Sequence, residues 1–122
     1  MSSFDPPTYR REHCERCVTV VEIVEDEEYD CTISLACGGL HFRSHGVGPL
    51  YDLLKYMGGP DCHKPHVIPI DDGDLAIVFD REFFHMFHLT LKISTSFLKL
   101  TVDTDADRRM LVSGLADALR KL

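Results

Sequence analysis

The chain has 122 residues, 44% hydrophobic and 27% charged, the composition of one ordinary globular domain with a single core. Its 20 acidic residues outnumber 13 basic ones, for a formal charge of −7, so it lacks the basic footprint with which proteins hold DNA or RNA. No apolar run approaches the roughly 20 residues of a membrane helix, and the start Met-Ser-Ser-Phe-Asp-Pro-Pro lacks the plan of a secretory signal; the expected compartment is the cytoplasm, without membrane contact.

Residues 1–12 contain Pro6 and Pro7 and no apolar period, and read as a flexible N-terminal arm before a single domain over 13–122. Cys17 to Val24 is β-branched and apolar on both faces, the pattern of a strand that is central or covered on both sides. Glu25-Asp26-Glu27-Glu28 ends it as an exposed turn, because four like charges repel and resist burial. Cys31, Ile33, Leu35 and Cys37 then alternate with small or polar residues, and Leu40 to His45 resumes the alternation after Gly38-Gly39. A two-residue glycine turn would set Leu35 opposite Phe42, with Cys31 and Cys37 on the apolar face and His41, Arg43 and His45 on the other.

Gly46 to Gly48 breaks that strand. Pro49 suits the start of a helix, Leu50, Leu53, Leu54 and Met57 keep helical spacing, and Gly58-Gly59-Pro60 stops it. After a loop, His66 to Ile70 reads as a strand that Pro69 assigns to an edge. Asp71-Asp72-Gly73-Asp74 is a turn, and Leu75, Ile77 and Phe79 mark the next strand. Residues 83–87 fit either a helical turn or the opening of the strand that continues to Ile93; strand is the reading adopted here. Ser94-Thr95-Ser96 links it to Leu98, Leu100 and Val102. From Thr104 the period becomes helical, with Leu111, Leu115, Ala118, Leu119 and Leu122 on one stripe and Asp103 or Thr104 as cap. Gly114 inside this helix costs about 1 kcal/mol against alanine, which close packing on a strand would explain. The expected class is α+β: a single antiparallel sheet of about six to seven strands, with a short central helix and a C-terminal helix packed on one face.

Five cysteines without a secretory signal point to reduced thiols. Cys14 and Cys17 form a Cys-x-x-Cys step, and Cys62 and His66 lie in one loop; together they are a Cys₃His set of the kind that takes structural zinc. The plainer alternative is an exposed Cys14, a Cys17 that opens a strand, and solvated loop histidines. A redox dithiol is a poorer fit, since a strand follows and no helix terminus lowers the thiol pKa. His88 is the obvious acid–base candidate of the last hairpin. No phosphate-binding loop, Gly-x-Ser-x-Gly or His-Glu-x-x-His motif is present, so nothing suggests an enzyme.

The leading expectation is a non-catalytic protein-binding module, of inhibitor, immunity or adaptor type, acting through its acidic surface on another, basic protein. Candidate contact residues are His41, Arg43 and His45 on the outer sheet face and Tyr51 and Tyr56 on the short helix. Exposed aromatic and methionine side chains are equally compatible with a homodimer. The alternatives are a zinc-stabilised regulatory domain and a small enzyme or ligand-binding domain with a histidine-lined pocket.

Overall fold

The computed structural model describes residues 17–35, 38–59, 64–80, 82, 85–104 and 106–122. Three strands come first: β1 (Cys17–Glu25), β2 (Glu28–Leu35) and β3 (Gly38–His45). Helix α1 (Gly48–Gly58) follows, then β4 (His66–Ile70), β5 (Gly73–Phe79), β6 (Met86–Ile93), β7 (Ser96–Asp103) and helix α2 (Ala106–Arg120). This is the element order expected from periodicity. The N-terminal arm, Cys14, Cys37, Cys62, Phe83 and Phe84 lie outside the described residues.

The strands do not form the expected single sheet. They make two antiparallel sheets, β1-β2-β3 and β4-β5-β6-β7. Strand β3 passes close to both β7 and β4, the two edges of the second sheet. A side chain built on Gly38 would lie 3.6 Å from Leu100 of β7. Five residues on, the Arg43 carbonyl accepts a hydrogen bond from the Asp71 amide beyond β4. β3 therefore crosses the second sheet instead of extending its ladder, as in packings where sheet directions differ strongly. The physical reason is burial: each sheet has one apolar face, and stacking covers both, whereas one flat sheet of seven strands would need the two helices to cover everything.

The shared core takes Ile33 and Phe42 from the first sheet, Ile77, Leu89 and Val102 from the second, and Leu53 and Leu115 from the helices, all buried in one cluster. Fully burying one such side chain stabilises the fold by roughly 1.5–3 kcal/mol. Pro69 lies in β4 at a sheet edge, where its missing amide proton leaves no ladder bond unmade.

Three local readings change. β1 is an edge strand among the described residues, with α2 packed on its inner side and Val18 and Val20 exposed on its outer side, not a central strand covered on both sides. The β2–β3 connection falls at residues 36–37, so Leu35 faces Gly38 and Cys31 faces Phe42, and both glycines belong to β3. The Thr104 hydroxyl is turned to another element. It donates to the His85 carbonyl at 3.0 Å, while the Asp107 carboxylate reaches back to accept the Asp103 amide at 3.1 Å. Arg108 locks the two helices together, donating to the Thr104 and Met57 carbonyls, each at 2.8 Å. The guanidinium thus satisfies a carbonyl at the end of α1, where helices leave acceptors unmatched. Gly114 is explained by close approach: a methyl there would lie 3.1 Å from the Thr19 hydroxyl of β1.

Candidate functional site

The side chains with most chemistry outside the core stand on the outer face of the first sheet. Alternation places Val18, Val20 and Glu22 of β1 on that face with Asp30, Thr32 and Ser34 of β2 and His41 and Arg43 of β3, and beyond a bulge between Ile23 and Glu25 it sets Glu25 opposite Glu28. Cross-strand rows divide it in two. One end carries the row Val20, Thr32, His41 and the row Val18, Ser34, Gly39, and is apolar or weakly polar. The other carries the row Glu22, Asp30, Arg43, with Glu28 opposite His45 beside it.

Glu22 and Asp30 are directly paired like charges, which destabilise a sheet unless a cation intervenes. Arg43 opposite Asp30 supplies that cation, and the His41 ring contacts the Asp30 carboxylate. At the adjoining β4–β5 turn, a hydrogen bond between the Glu28 and Asp71 carboxyls pushes Glu28 above the ordinary carboxylate range, while the charges of Arg43 and His45 pull it back. A hollow of about 140 Å³ opens between the sheets here, lined by His41, Phe42, Arg43, Ile70, Asp71, Asp72 and Ile93. Glu22, Glu25, Glu28 and Asp30 outnumber Arg43, so the polar end of the face is rich in carboxylates.

Tyr51 and Tyr56 are elsewhere. They belong to α1, on the core side of the first sheet. Tyr51 is half exposed and lines a groove of about 320 Å³ between the two helices, with Leu54, Ser113, Ala116, Leu119 and Arg120. Tyr56 stacks on His66, ring centroids 4.4 Å apart and planes 8° from parallel. The five contact candidates therefore form two groups, on opposite sides of the first sheet.

Of the four metal-ligand candidates, Cys17 and His66 can be placed, and Cys14 and Cys62 lie outside the described residues. Cys17 opens β1 with its sulfur 3.8 Å from the Thr19 hydroxyl. Burial raises its thiol pKa, the Thr19 contact lowers it, and the charge of Asp107 raises it; the net shift is upward. His66 Nε2 donates to the Asp52 carboxylate at 3.2 Å, which leaves Nδ1 as the nitrogen for any metal. Among the described residues no group of three or more histidine, cysteine or acidic side chains has the arrangement of a metal site.

A second constellation is not evident from sequence spacing. The Thr101 hydroxyl donates to His88 Nδ1 at 3.1 Å, His88 Nε2 donates to Asp80 at 3.3 Å, and the other Asp80 oxygen accepts the Glu82 amide at 2.9 Å. Asp80 follows β5, His88 sits in β6 and Thr101 in β7, so the chain ties together the ends of three strands. Both imidazole nitrogens are engaged. The clue in the sequence was the hairpin register that sets His88 opposite Thr101. Replacing His88 by alanine is expected to cost about 1–2 kcal/mol, because it removes the Thr101 hydroxyl's partner and one of the Asp80 carboxylate's hydrogen bonds. Urea denaturation of the variant would measure it.

No family model, curated protein or solved structure matches this chain. Function therefore has to be argued from the faces described above. Among the described residues no helix is long and apolar enough to cross a membrane.

Cys31 shows how closed the inner side of this sheet is. Burial, with a contribution from the Asp30 charge, pushes its thiol up to about 12 from an ordinary 9.0. Between those values the unfolded chain loses the proton and the folded chain keeps it, so this residue's contribution to stability is present below pH 9 and is lost as pH rises towards 12. The wild type should lose more stability between pH 8 and pH 10 than a Cys31→Ala variant, measured by chemical denaturation. In the native state Cys31 should react with a thiol reagent only at the rate of unfolding.

Proposed function

We propose that the protein is a non-catalytic binding module that engages a basic protein partner through the outer face of its three-stranded sheet. The observation that carries this reading is that the face is left open: Val18 and Val20 are 56% and 42% exposed, next to the acidic row of Glu22 and Asp30, while both helices lie on the other side. Apolar side chains beside a charged border are the anatomy of a contact surface. The acidic border suits a basic partner by steering it and fixing its register. His41 and Arg43 serve here to hold Asp30 in place, not to form a positive patch. Capture from a host extract on the immobilised full chain, followed by titration of the isolated complex, tests this. One stoichiometric partner whose affinity falls several-fold between 50 and 300 mM salt, two concentrations chosen to span about a twofold change in screening length, is expected. Salt-insensitive binding would remove the electrostatic part.

The Asp52–His66 hydrogen bond supports a second reading, a zinc-stabilised regulatory domain. Histidines that ligate metals commonly donate their other ring nitrogen to a carboxylate. His66 through Nδ1, with Cys14, Cys17 and Cys62, would hold the ion. Its content in untagged protein decides the matter: less than about half an equivalent of zinc, with stability unchanged by a chelator, defeats this reading.

A further inference from the structure

Resting on the basic-partner reading above, we propose that the partner arrives as an extended strand that pairs antiparallel with the free edge of β1 along Cys17–Ile23. Among the described residues the two sheets end in β1, β3, β4 and β7. β3 and β7 lie against each other, and β4 is five residues long, contains Pro69 and lies against β3 as well. β1 has β2 on one side and no strand on the other. A bulge between Ile23 and Glu25 interrupts its ladder, so regular pairing is confined to Cys17–Ile23. That stretch has neither lysine nor proline to blunt it, and Val18, Thr19, Val20, Val21 and Ile23 are β-branched. Its unpaired amides and carbonyls are a template for an added strand.

The chemistry of the occupant follows from how the edge changes along its length. At one end Val18 and Val20 stand exposed on the outer face. At the other, Glu22 is followed beyond the bulge by Glu25, with Asp30 and Glu28 opposite them on β2. An antiparallel newcomer meets these acids with its N-terminal half and the valines with its C-terminal half. The fitting strand therefore carries lysine or arginine on its first outward-facing positions and β-branched residues on the later ones, because opposite charges across a ladder stabilise it. Ile23, on the inner side and 62% exposed, gains cover from the side chain set opposite it. A second copy of this chain, with its net charge of −7, carries no such basic excess.

NMR titration of the full chain with the capped peptide Lys-Thr-Lys-Thr-Val-Thr-Val-Thr tests this. Paired as proposed, its second lysine faces Glu22 and its valines face Val20 and Val18. The largest amide shifts should fall on Cys17–Ile23. An extended peptide presents its amides alternately on two edges, so methylating the amides of one edge should weaken binding at least about tenfold, and methylating the other edge should change it within about twofold. Changing both lysines to glutamate should weaken binding about tenfold. Equal effects of the two methylated sets would overturn strand addition and leave the basic-partner reading intact if the glutamate peptide still binds more weakly. A glutamate peptide that binds as well as the lysine peptide would overturn both. Millimolar peptide without shifts at Cys17–Ile23 would overturn the proposal, as would shifts there that appear on concentrating the protein alone, which would give the edge to a second copy.

Discussion

Gly73→Ala is expected to destabilise the protein by about 3 kcal/mol, near the top of the range for overpacking, and to lower Tm by roughly 10 °C. Gly73 begins β5, between Ile70 of β4 and Ile93 of β6. A Cβ at this position would run into the Lys92 carbonyl oxygen and lie 2.8 Å from its carbon. The obstacle is backbone and cannot rotate away, so alanine must push β5 and β6 apart where their ladder starts. Gly48, by contrast, has open space around the same position, and alanine there should change Tm little. Differential scanning calorimetry of the two variants separates these cases. A Gly73→Ala protein as stable as wild type would mean that the β5–β6 approach is wider than described.

Phe87→Ala should cost about 3–5 kcal/mol, the usual range for emptying a buried aromatic site. Phe87 is 1% exposed, faces Phe79 and Val102 across its two strand partners, and holds its ring 5.5 Å from that of Phe79. Strands from both sides meet on it, so relaxation around the cavity is restricted and the loss should fall towards the upper half of the range. The control is Phe97, on the hairpin that joins β6 to β7. It is 65% exposed with the Lys92 ammonium 5.6 Å from its ring centroid, and its truncation should cost about 1 kcal/mol or less. Equal losses at Phe87 and Phe97 would contradict the assignment of the inner face of the second sheet.

The order of strands and helices was legible because each element buries one face and writes its period into the sequence. Sheet membership was not, since alternation tells which face a residue occupies and says nothing about which strand lies beside it. β1 shows the difference. Its two-sided apolar run suggested a central strand, and the structure instead makes it an edge with exposed valines. The β2–β3 hairpin shows how such errors can be harmless: Leu35 faces Gly38 and not Phe42, but the slip is an even number of residues, so Cys31, Leu40 and Phe42 still point into the core. His41 and Arg43 were correctly placed together on the opposite face for the same reason. That Tyr51 and Tyr56 lie on the other side of the sheet was not legible, because the side on which α1 lies is set by packing and not by any local pattern. The Thr101–His88–Asp80 chain needed both the β6–β7 register and the path of the chain after β5.

That the outer face of the first sheet is the working surface is tested most directly by a charge-matched comparison of partner affinity. Glu22→Lys alters that face and Asp74→Lys alters the outer face of the second sheet, and each raises the net charge of the chain by the same amount. Glu22→Lys should weaken binding of the captured partner at least about tenfold, or roughly 1.4 kcal/mol, while Asp74→Lys leaves it within about twofold. Equal losses would reduce the effect to overall charge, and loss with Asp74→Lys alone would place the contact surface on the other sheet.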